Sequence, residues 1–148
     1  PEPRRSRSAL LNMVPTASHA AEAVGEVLPE LAGRIEGFVV RVPAPHGALL
    51  DLVAQLDRPA GAEEVRRAFR RAAAKDPAGI LAVTEEELVS GDFIGDPHSA
   101  VVDLPLIQVV EGGLVRVVAW YDNEWGYANR LAELLVHLGR RGKEGGES

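Results

Sequence analysis

The residues best suited to chemistry gather near the end of the sequence, in Ala119-Trp120-Tyr121-Asp122-Asn123-Glu124-Trp125-Gly126-Tyr127-Ala128-Asn129-Arg130. This stretch holds both tryptophans and both tyrosines of a chain that is only 5% aromatic. Such a crowd of rings, amides and carboxylates exceeds what a turn requires. It fits either a buried structural corner or the wall of a binding site. Three other places carry groups that hold anions. Arg4, Arg5 and Arg7 stand close together around Ser6; their guanidinium forks match phosphate or carboxylate, although like charges so close also make ordinary solvated faces. Ser18 and His19 open a helical pattern, where free N–H groups and the positive end of the macrodipole favour an anion. In most proteins capping alone explains such a Ser18 hydroxyl, and His19 fits a phosphate contact or a surface position. Arg41 lies among strand residues, where a buried charge needs a carboxylate or a phosphate as partner.

The elements that must position these groups show in the periodicity. Apolar residues at Ala20, Ala21, Ala23, Val24, Val27 and Leu28 follow helical spacing, with Ser18 as expected N-cap and Pro29 closing the pattern. Ile35–Val42 alternates as a strand, with Phe38, Val40 and Val42 on the more apolar face and Arg41 opposite. Leu49–Leu56 alternates too, and the short link between them predicts an antiparallel pair. Ala62–Lys75 is the clearest helix. Val65, Ala68, Phe69, Ala72 and Ala73 make its apolar side, and Arg66, Arg67, Arg70, Arg71 and Lys75 make a face read as solvated. Strands are expected at Gly79–Thr84, Ala100–Leu104, Leu106–Val110 and Leu114–Trp120, with Gly112-Gly113 as a hairpin turn. Leu131, Leu134, Leu135 and Leu138 mark a last helix ending at Gly139. The fold class is therefore α+β: a mostly antiparallel or mixed sheet of about five to seven strands, covered on one face by roughly three helices. Residues 1–139 form one domain and 140–148 a polar tail.

Composition excludes several functions. The formal net charge of −6 argues against nucleic acid as the main partner. Apolar runs fall well short of a membrane span of about 20 residues, and no export signal opens the chain. The chain has no cysteine, which removes disulfides, thiolate ligands and thiol catalysis from these residues. A cytoplasmic location follows as the expectation. His19, His46, His98 and His137 lack ligand spacing, so no metal is expected. Neither a G-x-G-x-x-G fingerprint nor a phosphate-binding Walker loop occurs. Pro1 rather than Met comes first, which points to a piece of a longer polypeptide.

Taken together, Arg4-Arg5-Ser6-Arg7, Pro15-Thr16, Arg41-Val42-Pro43, Leu88-Val89-Ser90-Gly91-Asp92-Phe93, Gly95-Asp96-Pro97-His98-Ser99 and Trp120–Arg130 resemble the second half of the glyceraldehyde-3-phosphate dehydrogenase family. The resemblance runs from about Arg4 to Leu138. It implies oxidation of a phosphorylated aldehyde, with NAD or NADP and inorganic phosphate, to an acyl phosphate. In that family a cysteine thiolate adds to the aldehyde, hydride passes to the nicotinamide, phosphate cleaves the thioester and a histidine handles the proton. By the same resemblance Arg5 meets the substrate phosphate and Arg41 the pocket of the attacking phosphate. Ser18 stands where Thr is usual and His19 where Gly is usual. Asn123 matches a hydrogen-bond partner of the nicotinamide carboxamide, Tyr127 an aromatic neighbour of that ring, and Trp120 and Trp125 are assigned to packing. His46-Gly47-Ala48 replaces the usual Asn-Val-Ser. No catalytic residue is assigned in this chain, because the family's cysteine and histidine precede the Arg-Arg-x-Arg motif.

A homo-oligomer, by family a tetramer, is expected. The altered Ala17-Ser18-His19 run keeps erythrose-4-phosphate dehydrogenase as an alternative activity. The missing cysteine motivates a second alternative, a stand-alone domain that binds anions or oligomerises without catalysis.

Overall fold

A computed structural model describes residues 3–144. The chain divides into two units, Pro1–Pro45 and His46–Ser148. The last residues of the expected tail, 145–148, lie outside the described residues.

The first unit is a two-stranded antiparallel ribbon of β1 (Val14–Ala17) and β2 (Phe38–Arg41), joined through helix α1 (Ala20–Val27) and a 3₁₀ turn at Pro29–Leu31. Strand β1 is not among the expected strands. Four residues including a proline show no alternation, and their partner lies beyond a helix. Pro15 pairs with Val40, a position open to proline because a two-stranded ribbon has only edges. Helix α1 ends as expected, the Leu28 N–H reaching Val24 O at 2.8 Å before Pro29, which has no N–H to continue it.

The register sets Val14 opposite Arg41 and Thr16 opposite Val39, so these four share one face. That face is the protected one, with Val14 6% exposed. The face read as more apolar turns outward, Phe38 being 70% exposed. A ribbon this short protects one side only, and Arg4, Arg7, Asn12 and Met13 line an open cleft with Val14. Arg41 itself is exposed, so the burial argument for an obligatory partner does not apply to it.

The second unit is built on a five-stranded mixed sheet. Its centre is β7 (Leu114–Tyr121), which pairs antiparallel with β3 (Ala48–Gln55) over its full length. On its other side β7 pairs with β5 (Ala100–Asp103) and β6 (Gln108–Val110). Strand β4 (Leu81–Thr84) adds parallel to β5. The pairing expected between residues 35–42 and 49–56 does not form: β2 pairs with β1, and β3 pairs with β7. Two prolines, Pro43 and Pro45, stiffen the link, where the Ala44 N–H closes back on Val42 O at 2.7 Å. Prolines fix φ and remove donors, so this link cannot adopt a regular hairpin turn. The Gly112-Gly113 hairpin does form, with the Gly113 N–H on Val110 O at 3.1 Å and Gly112 at φ 68°.

Helix α2 (Ala62–Ala74) lays Val65 and Phe69 on the face of Val102, Val115, Val117 and Ala119. Leu104 and Ile107, only 1% and 2% exposed, complete that core where the chain leaves β5. The carbonyls of Leu104 and Ile107 have left the strand ladder, and Arg66 of α2 donates to both, Nε at 3.0 Å and Nη2 at 3.2 Å. Helix α3 (Asn123–Glu144) continues through Gly139, its expected end. Gly139 is not among the glycines with positive φ, so it never takes the left-handed conformation that would end the helix. No described helix is long and apolar enough to cross a membrane.

Ile107→Ala opens a cavity where the helix meets the sheet and should cost about 2–5 kcal/mol, read as a lower urea midpoint. Leu106→Ala, at a position 42% exposed, should change the midpoint far less.

Candidate functional site

The strand-to-helix corner after β7 is organised by Asp122, which is 7% exposed. Its Oδ1 accepts the Trp125 N–H at 2.9 Å, and its Oδ2 accepts the Gly95 N–H at 2.9 Å. The first bond caps α3; the second ties the helix start to the loop before β5. Gly95 has φ 79°, a conformation glycine adopts without strain. The N–H of Gly95, then that of Trp125, holds the Asp122 carboxyl below its usual range against the opposing effect of burial; Glu124 N–H and the nearby His46 add to the lowering. Asp122 lies within the aromatic motif but carries no role in the sequence reading. An Asp directly before a helical pattern is the signal that could find it.

Two further contacts fix the same corner. A Cβ built on Gly126 would stand 3.2 Å from His98 O, a tight contact, so glycine there lets the first turn of α3 pass close to this loop without displacing it. Arg130 Nη1 donates to Ser99 Oγ at 3.2 Å. Below the corner, Trp120 stacks on the buried Phe93 at 5.6 Å and donates its indole N–H to Asp103 at 3.0 Å. Trp120 is therefore packing, as expected. Trp125 is not: it is 51% exposed, because at the third position of a helix capped by Asp122 its backbone is held while its ring is left uncovered.

Asn123 and Tyr127 stand four residues apart in the first turns of α3, hence on one face. Both are exposed, Tyr127 at 66%. They present an amide and an aromatic ring side by side, which suits a flat amide-bearing ring system.

The first unit holds the arginine site. Arg5, Arg7, Val14, Thr16 and Arg41 line an open cleft of about 370 Å³ with Ala9. A smaller cleft of about 280 Å³ adjoins it through the shared Arg7 and Val14. Strand register explains half of the lining, since Val14, Thr16 and Arg41 share the inner face of the ribbon. Among the described residues no carboxylate pairs with Arg7 or Arg41. Guanidinium groups beside a hydroxyl form a site for an oxyanion.

Ser18 and His19 are not among the residues lining that cleft. His19, not Ser18, occupies the N-cap position of α1; the Ser18 hydroxyl accepts the Ala20 N–H from one residue further out, at 3.1 Å. The His19 ring faces solvent and lies 3.0 Å from a Glu22 carboxylate oxygen, with its side chain 90% exposed. Arg7 joins the site from the arginine cluster read as a possible anion site, and Thr16 joins it although the sequence reading assigns it no role.

The mixed sheet with its helices places the chain in the α+β class. Comparison with known proteins narrows this. Residues 1–123 match the family described as glyceraldehyde 3-phosphate dehydrogenase, C-terminal domain, and the chain belongs to that family. It is 47% identical over 139 residues to glyceraldehyde-3-phosphate dehydrogenase 1 of Bacillus subtilis (strain 168), covering 94% of this chain and 42% of the relative. It is 51% identical over 136 residues to glyceraldehyde-3-phosphate dehydrogenase 1 of Streptomyces avermitilis, covering 92% and 40%. Identity to glyceraldehyde-3-phosphate dehydrogenase of Mycobacterium avium is 45% over 137 residues, covering 93% and 40%. The chain thus spans about two fifths of the length of these relatives.

The lowered carboxyl of Asp122 sets a pH signature. Its stabilising effect is complete above the ordinary carboxylate range and is lost as pH falls below about 4 toward the depressed folded value. In thermal melts at stepped pH, Asp122→Asn should melt below wild type at pH 7, and the gap should narrow as pH falls below about 4. A constant gap across that range would contradict the assignment.

Proposed function

We propose that this chain is the phosphate-binding and nicotinamide-facing part of a phosphorylating, NAD(P)-dependent aldehyde dehydrogenase that converts glyceraldehyde 3-phosphate to 1,3-bisphosphoglycerate. The observation that carries the reading is the cleft gathering Arg5, Arg7, Thr16 and Arg41. Making an acyl phosphate from a phosphorylated aldehyde requires holding two phosphates, one on the substrate and one attacking. Arg5 takes the first role and Arg41 the second, with Thr16 as a neutral donor beside them. Ser18 and His19, at the start of α1 in the same unit, are proposed as further donors to the attacking phosphate; His19 must leave Glu22 to serve.

The exposed pair Asn123 and Tyr127 fits the nicotinamide end of NAD or NADP. The amide of Asn123 offers a donor and an acceptor to a carboxamide, and Tyr127 offers a ring edge or face one turn along. When bound, the nicotinamide supplies the hydride acceptor. Asn123 and Tyr127 orient that group, and Asp122 fixes the helix turn that carries them. These 148 residues contain no cysteine, so the thiolate nucleophile and its general base belong, in this reading, to other residues of the intact protein. We place the enzyme in the cytoplasm as a homotetramer. The outward-facing Leu49 and Val53 of β3, 48% and 56% exposed, support an assembled state.

Assays of the intact protein on glyceraldehyde 3-phosphate and erythrose 4-phosphate, each with and without inorganic phosphate, test the reading. Acyl phosphate formation should depend on phosphate and favour the three-carbon aldehyde; turnover independent of phosphate would sink it. Losing a charge-assisted hydrogen bond costs about 1.5–3 kcal/mol. Arg5→Gln should therefore raise KM for the aldehyde, and Arg41→Gln that for phosphate, by roughly 10- to 150-fold. Asn123→Ala should weaken cofactor binding or slow hydride transfer with the fold intact. A clean monomer on sizing would contradict the tetramer.

A further inference from the structure

The cations of helix α2 are sorted by what they touch. Arg66 donates to the carbonyls of Leu104 and Ile107. Arg70 binds two carboxylates, Glu85 at 2.8 Å and Glu63 at 2.9 Å. Just before the helix, Arg58 holds Glu64 at 3.0 Å. Glu63, Glu64 and Glu85 are thereby engaged, and Asp76, just past the helix, accepts the N–H groups of Ala78, Ile80 and Leu81. Three cations are left over, Arg67, Arg71 and Lys75, all exposed. Among the described residues no carboxylate lies within ion-pair distance of any of them; Glu63 feels the charge of Arg67 only at longer range.

These three residues follow one another at intervals of four, so they form a single row along the outer side of the helix, with charges about 6 Å apart over about 12 Å. Ala68, Ala72 and Ala74 flank the row and are also exposed, leaving room for a second chain to approach. The negative end of the macrodipole favours cations at Arg71 and Lys75, in the last turn and at the C-cap. It does not favour Arg67 in the middle of the helix. Like charges four residues apart destabilise a helix, and opposite charges brought by a partner relieve that repulsion.

From this arrangement we infer that the outer face of α2 is a docking surface for an acidic polypeptide segment, with carboxylates of the partner matched to Arg67, Arg71 and Lys75. Carboxylates on alternate residues of an extended strand recur every ~6.6 Å, and at four-residue intervals on a helix every ~6 Å. Either spacing meets the row. Nucleic acid fits less well. The only aromatic ring of α2, Phe69, packs toward the sheet, so no stacking platform faces outward. The chain's net charge of −6 also repels a long polyanion more than a short acidic peptide.

The test uses the intact protein and a fluorescently labelled peptide carrying glutamates at four-residue intervals in an alanine background. Anisotropy at low salt should show binding that weakens on the order of tenfold as salt is raised to a few tenths molar, where the Debye length falls to about half its value at 0.1 M or less. The triple variant Arg67→Gln, Arg71→Gln, Lys75→Gln should lose binding, while Arg58→Gln should keep it. Glutamine matches Arg and Lys in helix propensity, and an unchanged far-UV circular dichroism spectrum would confirm that α2 persists. Absence of peptide binding at low salt, or equal binding by the triple variant, would overturn the proposal. So would preferential capture of a single-stranded oligonucleotide that the triple variant loses.

Discussion

The Asp122 carboxylate is the interaction on which the second unit's working end depends. One oxygen caps α3 and the other anchors the loop at Gly95, so a single side chain sets three things at once: where β7 stops, where α3 starts and where the loop before β5 passes. Asn123, the first residue of α3, inherits its position from it. The neighbouring contacts reinforce this without replacing it. Gly126 permits the close approach to His98, and Arg130 meets Ser99 one turn further on. Both come too late in the helix to set its first residue. A buried carboxylate is tolerable there because backbone N–H groups meet both oxygens, so its charge is solvated by the fold.

How much of this is legible in the sequence depends on the range of the forces involved. The position of α2 is readable because Val65 and Phe69, and the charges on the opposite side, repeat at helical spacing; the structure reproduces it within one residue. Strand positions are readable too, from period-two alternation in residues 49–56 and from the β-rich composition of residues 114–120. Partner choice is not. Alternation says which face a strand buries but not which strand lies beside it. The two prolines between β2 and β3 suggest a turn when they instead rule out the usual hairpin geometry. Strand β1 is invisible, being four residues long with a proline inside. Gly139 resembles a helix stop, yet a glycine ends a helix only where the backbone turns left-handed, and its identity alone does not force that turn.

The candidate site divides along the same line. Arg5, Arg41, Asn123 and Tyr127 can be named from sequence because the motifs containing them are distinctive. That Arg5 and Arg41 line one cleft cannot be, since it depends on the pairing of β1 with β2, which sets Val14 against Arg41. The N-cap of α1 falls one residue from its expected place because Ser18 and His19 are adjacent and either can stand at a helix start. Only the backbone decides, and it leaves the serine hydroxyl to serve from outside the cap. Trp125 invites an assignment to packing on its size, but size says how much area a ring could bury and not whether anything lies over it.

That uncovered surface links the proposed cofactor residues to assembly. Asn123, Tyr127, Leu131, Leu134 and Leu138 fall at intervals of four, four, three and four, so they form one stripe along α3. Leu131, Leu134 and Leu138 are 42%, 51% and 56% exposed. A stripe of this kind is costly to leave in water, at about 25 cal/mol per Å² of apolar surface. Leu131 follows Tyr127 by four residues, so a surface that covers Leu131 borders Tyr127. On a rigid helix the two halves of the stripe cannot be oriented independently. Seating the leucines sets the rotation of the helix, and that rotation aims the amide and the ring. In the proposed reading, orienting a nicotinamide and burying an apolar face fall to the same helix, whose starting point Asp122 holds in place.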